Sequence, residues 1–122
     1  MSSEKTILII DDDSRNIFAL SAVLKAKGYQ VVSALSAVEG ITRLKNNKSI
    51  GVVLLDIMMP DMDGYQAIAA IRSSESISRI PIIAVTAQAM VGDREKSLNA
   101  GANEYISKPI DVDMLLDLLA KY

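Results

Sequence analysis

Val52-Val53-Leu54-Leu55-Asp56, VVLLD at residues 52–56, is an aliphatic run that stops at an acid. Its four apolar residues do not alternate with polar ones, and two are β-branched. That pattern predicts a strand covered on both faces, as in a parallel sheet flanked by helices. Working outward, similar runs occur at Ile7–Ile10 (ILII), Val31 with Val32, Ile82–Val85 (IIAV) and, more weakly, Tyr105 with Ile106. The segments between them change to helical spacing. Ile17, Leu20 and Leu24 share a stripe, as do Val38, Ile41 and Leu44, and then Tyr65, Ile68 and Ile71. The last helix is the clearest: Val112, Leu115, Leu116 and Leu119 fall at i, i+3, i+4 and i+7 behind Asp111, a predicted N-cap. A fourth helix over 89–100 is poorly amphipathic and includes Gly92, so it is expected to be the most mobile. Gly28, Gly101 and the Pro60/Gly64 pair punctuate helix ends and turns, and Gly64 is expected to supply a backbone conformation that other residues avoid. Five strand–helix pairs predict an α/β fold, a (βα)5 doubly wound five-stranded parallel sheet, with residues 1–122 as a single domain.

Composition removes whole classes of chemistry. The chain has 122 residues, half of them apolar, enough for one core. It has no Cys, hence no disulfide framework and no thiolate zinc site, and no His, hence none of the usual general base and commonest metal ligand. A nucleophile must therefore be a carboxylate, hydroxyl or lysine, and a metal would be a hard cation held by oxygen. The net charge of −2 gives no nucleic-acid footprint. No apolar stretch approaches membrane-spanning length, and MSSEKTILII lacks the form of a signal peptide, so no membrane association is expected and the predicted compartment is the cytoplasm.

In open α/β sheets the site lies at the carboxyl ends of the strands, where strand order reverses. The first run ends at Asp11, Asp12 and Asp13, the third at Asp56, the fourth at Thr86, and the fifth, after Ser107, at Lys108. Several carboxylates at close range oppose one another's ionisation, and a bound divalent cation with the Lys108 ammonium is the natural relief. A Mg²⁺ site is predicted, with coordination positions left for phosphate oxygens.

Taken together, ILII followed by Asp11-Asp12, the LLDIMMPDMDG of residues 54–64, the AVTA around Thr86 and the GANEYISKP of residues 101–109 resemble the receiver domain of two-component response regulators over essentially the whole chain. The resemblance implies a flavodoxin-like strand order 2-1-3-4-5. It also implies a phosphoacceptor signalling domain, not an enzyme proper, that assists its own Mg²⁺-dependent phosphorylation and dephosphorylation. Asp56 would accept the phosphoryl group. Asp11, Asp12 and Asp56, with the backbone carbonyl of Met58, would hold Mg²⁺, and Lys108 and Thr86 would grip phosphoryl oxygens. Tyr105 falls at the switch aromatic, and the Lys108–Pro109 peptide would be cis. The donor would be a phosphohistidine on a histidine kinase or histidine phosphotransfer protein, and a downstream protein would read the face of helix 4, strand 5 and helix 5. The segments DDDSRNIFALSAVL and GDREKSLNAGANEYISKP are most similar to receivers of hybrid histidine kinases, with stand-alone regulators as the other setting. Met58 offers no side chain to orient water, so slow self-dephosphorylation is expected, with Gln88 as a partial compensator.

Other readings fit less of the sequence. Asp13 and Ser14 suit a helix N-cap, and Asp61 and Asp63 suit a Pro/Gly turn without chemistry. A haloacid-dehalogenase-like phosphatase would use Asp11 as nucleophile and Asp13 as acid/base, but would leave LLDIMMPDMDG without a purpose. A degenerate receiver acting only as an interaction module would not need the complete acidic set.

Overall fold

The structure, a computed structural model, describes residues 6–60, 62–87 and 92–122. Strands and helices alternate along the chain: β1 (Thr6–Ile10), α1 (Ser14–Ala26), β2 (Gln30–Ala34), α2 (Ala37–Asn46), β3 (Ile50–Asp56), α3 (Gly64–Ser73), β4 (Ile82–Thr86), α4 (Asp93–Ala100), β5 (Glu104–Ser107) and α5 (Val112–Leu119). A short 3-10 turn, Glu75–Ile77, leads into β4. The strands form one parallel sheet in the order β2-β1-β3-β4-β5, as the sequence predicts.

The period-2 pleat divides the apolar runs between two cores. Leu8, Ile10, Val53, Leu55, Ile82 and Ala84 face Leu44 of α2 and Ala67, Ile68 and Ile71 of α3. Ile7, Ile9, Val52, Leu54, Ile83 and Val85 face Ile17 and Leu24 of α1 and Leu115 and Leu119 of α5. Both faces of the central strands are therefore buried, which is why the runs are apolar without alternation. Val38 departs from its predicted stripe: it is exposed, and α2 turns Ala37, Gly40 and Leu44 inward instead. Gly40 allows that close approach, because a Cβ there would stand 2.3 Å from the Ile10 side chain.

Local signals fix the helix starts at the carboxyl ends of the strands. Asp13, Ser36 and Asp111 cap α1, α2 and α5 by accepting from Arg15, Glu39 and Met114 backbone N–H groups. Asp63 caps α3 in a reciprocal box with Gln66 (2.9 and 3.0 Å). Helix α4 is different. Gly92 is its N-cap at φ +94°, with no side-chain cap, so this glycine sits at the helix entry and not in its interior as the sequence suggested. Its one buried residue is Ser97, whose hydroxyl has no hydrogen-bond partner among the described residues. Gly64 also differs from expectation. Its φ is not positive; the requirement is space, since a Cβ would lie 2.5 Å from the Ile57 Cα.

Candidate functional site

Three strand ends converge around one carboxylate. Asp56 is the last residue of β3, paired in register with Val85 of β4, and the chain leaves β3 through a hydrogen bond from the Ile57 N–H to the Val85 carbonyl (2.9 Å). Its side chain is buried. The Met58 N–H donates to Asp56 Oδ1 at 3.1 Å, and Lys108 Nζ lies 3.8 Å from Oδ2. Across the cleft, Asp11 follows β1. Its Oδ1 accepts from the Asp13 N–H (2.9 Å), and its Oδ2 faces Lys108 Nζ (3.6 Å) and the Asn16 amide (3.5 Å). Asp12 is exposed at the rim. One carboxylate oxygen from each of Asp11, Asp12 and Asp56 lies within 4.8 Å of the others.

The electrostatics follow from this crowding. Burial is the main cause that raises the Asp56 pKa from 3.8 to about 6; the Asp11 and Asp12 charges push the same way, while the Met58 N–H and the Lys108 ammonium pull it down. A group that resists ionisation beside two further acids is short of positive charge. The donors are all hard oxygens, so the residues present fit Mg²⁺ in chemistry and in proximity.

Thr86 ends β4, buried, and its carbonyl accepts from the Lys108 N–H at 2.7 Å, which ties the β5–α5 loop to the site. The Lys108–Pro109 peptide is cis. Tyr105 lies half-buried on β5 opposite Ala84, with its hydroxyl pKa pushed up by burial and by the Asp93 and Tyr65 charges. The Met58 side chain is half exposed at the mouth. Gln88 and Asp61 fall outside the described residues. Asp13 holds α1 by its cap and pairs with Arg15 (3.3 Å), a structural role of the predicted kind.

The sequence matches the response regulator receiver domain family over residues 7–120. The chain belongs to that family. It is 37% identical over 117 residues to the signal transduction histidine-protein kinase BarA of Escherichia coli K12, covering 96% of this chain but 13% of that protein. Against the polar-differentiation response regulator DivK of Brucella ovis, identity is 30% over 118 residues, covering 97% of this chain and 95% of the relative. Among solved structures, the receiver domain of the sensor histidine kinase PA1611 from Pseudomonas aeruginosa PAO1, described with a magnesium ion in its active-site cleft, is 34% identical with a TM-score of 0.87, covering 97% of this chain and 96% of that one. The receiver is thus a phosphoacceptor domain of two-component signalling, and the phosphatase reading is not favoured.

Two features of the receiver were not read from the sequence. Asn16 reaches the acidic cluster because the Asp13 cap starts α1 so that its first turn faces Asp11. Arg72 of α3 ties distant backbone together, donating to the carbonyls of Gly101 (2.9 and 2.7 Å), Ser78 (3.0 Å) and Ile80 (2.6 Å) and to the Asn103 side chain (2.8 Å). Asn103 in turn accepts from the Ile82 N–H at 2.9 Å, so the GAN of GANEY anchors β4 and β5. An arginine in a helix carries no signal that its partners are carbonyls far away in sequence.

Proposed function

We propose that Asp56 is the phosphoacceptor of a single receiver unit spanning the 122 residues, taking its phosphoryl group from a phosphohistidine. The observation that carries this reading is the buried Asp56 carboxylate at the end of β3, flanked by Asp11, Asp12 and the Lys108 ammonium. In the transfer, an Asp56 oxygen attacks phosphorus, an O–P bond forms as the donor N–P bond breaks, and the donor imidazole leaves with the electron pair. Lys108 offsets the charge on the equatorial oxygens, and the Thr86 hydroxyl grips one of them. Asp11, Asp12, Asp56 and the Met58 carbonyl would hold Mg²⁺, which when bound supplies charge neutralisation at those same oxygens.

The donor is a histidine kinase or a histidine phosphotransfer protein, in keeping with the relatives and with a chain that has no histidine of its own. The output is a switch: the phosphoryl group draws Thr86 in, Tyr105 moves, and the α4–β5–α5 face presents a changed surface to a downstream protein. Sparse anchoring of α4 supports that choice of face. No helix of the described residues is long and apolar enough to cross a membrane, and the domain is proposed to work in the cytoplasm.

Intact mass after incubation with acetyl phosphate tests the assignment. A Mg²⁺-dependent gain of one phosphoryl group in wild type, absent from Asp56→Asn, is expected. Gain retained in the variant would transfer the role to Asp11 or Asp12.

A further inference from the structure

Helix α4 is fastened unevenly. At its carboxyl end Gly101 turns the chain at φ +122°, and the Gly101 and Ala102 N–H groups donate to the Leu98 and Ser97 carbonyls (3.0 and 3.1 Å). Arg72 of α3 grips the Gly101 carbonyl, and Ala100 and Ala102 pack into the core that α3 shares. At the amino end the cap is Gly92, which has no side chain to accept from the first turn. Between the two ends the exposed Lys96 lays its ammonium 4.4 Å from the centroid of the Tyr65 ring on α3, a cation–π contact.

Ser97 works against this docking. It is fully buried, and its hydroxyl has no hydrogen-bond partner among the described residues. Such a hydroxyl is penalised while the helix stays docked and relieved once the helix moves away, because water then supplies its partners. Alanine would fill nearly the same space without the penalty and would favour the helix. We propose that Ser97 is a built-in destabiliser of α4 docking, which keeps a state with α4 lifted off α3 about its Gly101 end populated before any phosphorylation. The Lys96–Tyr65 contact is the latch that opposes the lift.

The two residues therefore set one equilibrium from opposite sides. The latch is solvent-exposed and weak, and the unpaired hydroxyl is buried and costly, so neither state is locked. A phosphoryl group on Asp56 would then shift an existing balance of α4 positions and would not have to create a new one. That consequence rests on the proposed switch reading; the lift itself stands on Ser97, Lys96 and Tyr65 alone.

Native-state hydrogen exchange of the full ¹⁵N-labelled chain, without phosphoryl donor, reads the lift directly. In wild type the amides of residues 96–100 should exchange at least about a hundredfold faster than those of β3, through opening of α4 alone. Ser97→Ala should slow them at least about fivefold, the hydroxyl penalty being removed. Asn99→Ala, on the exposed side of the same helix, is the control for helix propensity and should slow them only about twofold. Lys96→Met keeps the stem and the propensity but not the charge, and should speed them about two- to fivefold. Ser97→Ala no slower than Asn99→Ala, or α4 amides exchanging in step with β3 in wild type, would overturn the proposal, and an unchanged Lys96→Met would remove the latch. Ser97 touches no group of the cleft, so Ser97→Ala should gain phosphate from acetyl phosphate as wild type does. Failure of wild type to gain phosphate, with the order of exchange rates kept, would strike the phosphoacceptor reading and leave the lift standing.

Discussion

Replacing Asp56 by Asn should make the metal-free domain more stable, although it removes the proposed phosphoacceptor. In the fold the Asp56 carboxyl titrates at about 6 against 3.8 in a solvated chain, with burial as the first cause. At ~1.4 kcal/mol per tenfold change in proton affinity, keeping this group ionised costs the fold up to ~3 kcal/mol at neutral pH. The sign follows from the direction. A carboxyl with a raised folded pKa is fully compatible with folding below its unfolded value, and stability is lost as pH rises through the folded value. The cost is therefore absent below pH ~4 and complete above pH ~6 to 7. Asn is uncharged, has nearly the same shape and keeps an oxygen for the Met58 N–H. Allowing for local relaxation, the variant should gain about 1.5–3 kcal/mol at pH 7, a Tm rise of roughly 6–12 °C for a chain of this size. Thermal unfolding in EDTA at pH 4, 5, 6, 7 and 8 reads this directly. The gap between variant and wild type should open between pH 4 and pH 7, and saturating Mg²⁺ should narrow or reverse it, because an ion that binds the native state at 100 times its Kd adds ~2.7 kcal/mol. A variant no more stable than wild type at pH 7 in EDTA, or a gap independent of pH, would refute the burial argument.

Thr86→Ala should leave phosphoryl gain detectable but abolish phosphorylation-dependent amide shifts across α4; unchanged α4 shifts would break the proposed coupling. Met58→Asn should lose its phosphoryl group several-fold faster than wild type, followed as intact mass against time after removal of donor, and an equal rate would show that this position does not govern attack by water. Arg72→Ala strands the carbonyls of Gly101, Ser78 and Ile80 in partly buried positions and should cost about 2–4 kcal/mol in urea unfolding. A loss under ~1 kcal/mol would mean that water replaces the guanidinium.

The apolar runs disclosed the sheet because each strand of the central trio is buried on both faces, and the acids at their ends disclosed the site because an open α/β sheet aims its strand ends at one place. The same logic explains what escaped. Val38 fits a helical stripe with Ile41 and Leu44, both of which do pack against the core, yet Val38 itself is turned out, because the helix face drawn against the sheet is the one on which Gly40 lies over Ile10. Spacing carries no information about how closely a helix approaches. Gly64 and Gly92 look alike as letters, but one answers to the Ile57 backbone and the other to a left-handed turn. Asp63 read as a turn former is the N-terminal cap of α3, and Gln66 three residues on was the available sign. The Arg72 network was hidden for a stronger reason: it joins residues up to 31 positions apart, and only the fold brings them together.

If Asp56 has the proposed role, stability and function oppose each other there. Its depth below the surface raises the cost of its charge, and on the proposed reading that same cost would be released if a cation, or a phosphoryl group with its counter-charges, filled the cleft. A shallower aspartate would fold more easily and bind Mg²⁺ less tightly, because less uncompensated charge would be relieved. The Lys108 ammonium, at 3.6 Å from Asp11 and 3.8 Å from Asp56, is far enough from each to be shared and belongs to neither. It holds the acids together without neutralising them, and its own loop is pinned to Thr86 by backbone. A phosphoryl group on Asp56, the proposed acceptor, would therefore meet a cation already tethered to the residue proposed to respond. Exchanging Lys108 for Arg tests this directly: the larger, planar head keeps the charge but cannot occupy the same shared position, so Mg²⁺ binding should survive within a fewfold while phosphorylation-dependent α4 shifts are lost. Retention of both would show that charge alone, and not the tether, carries the signal.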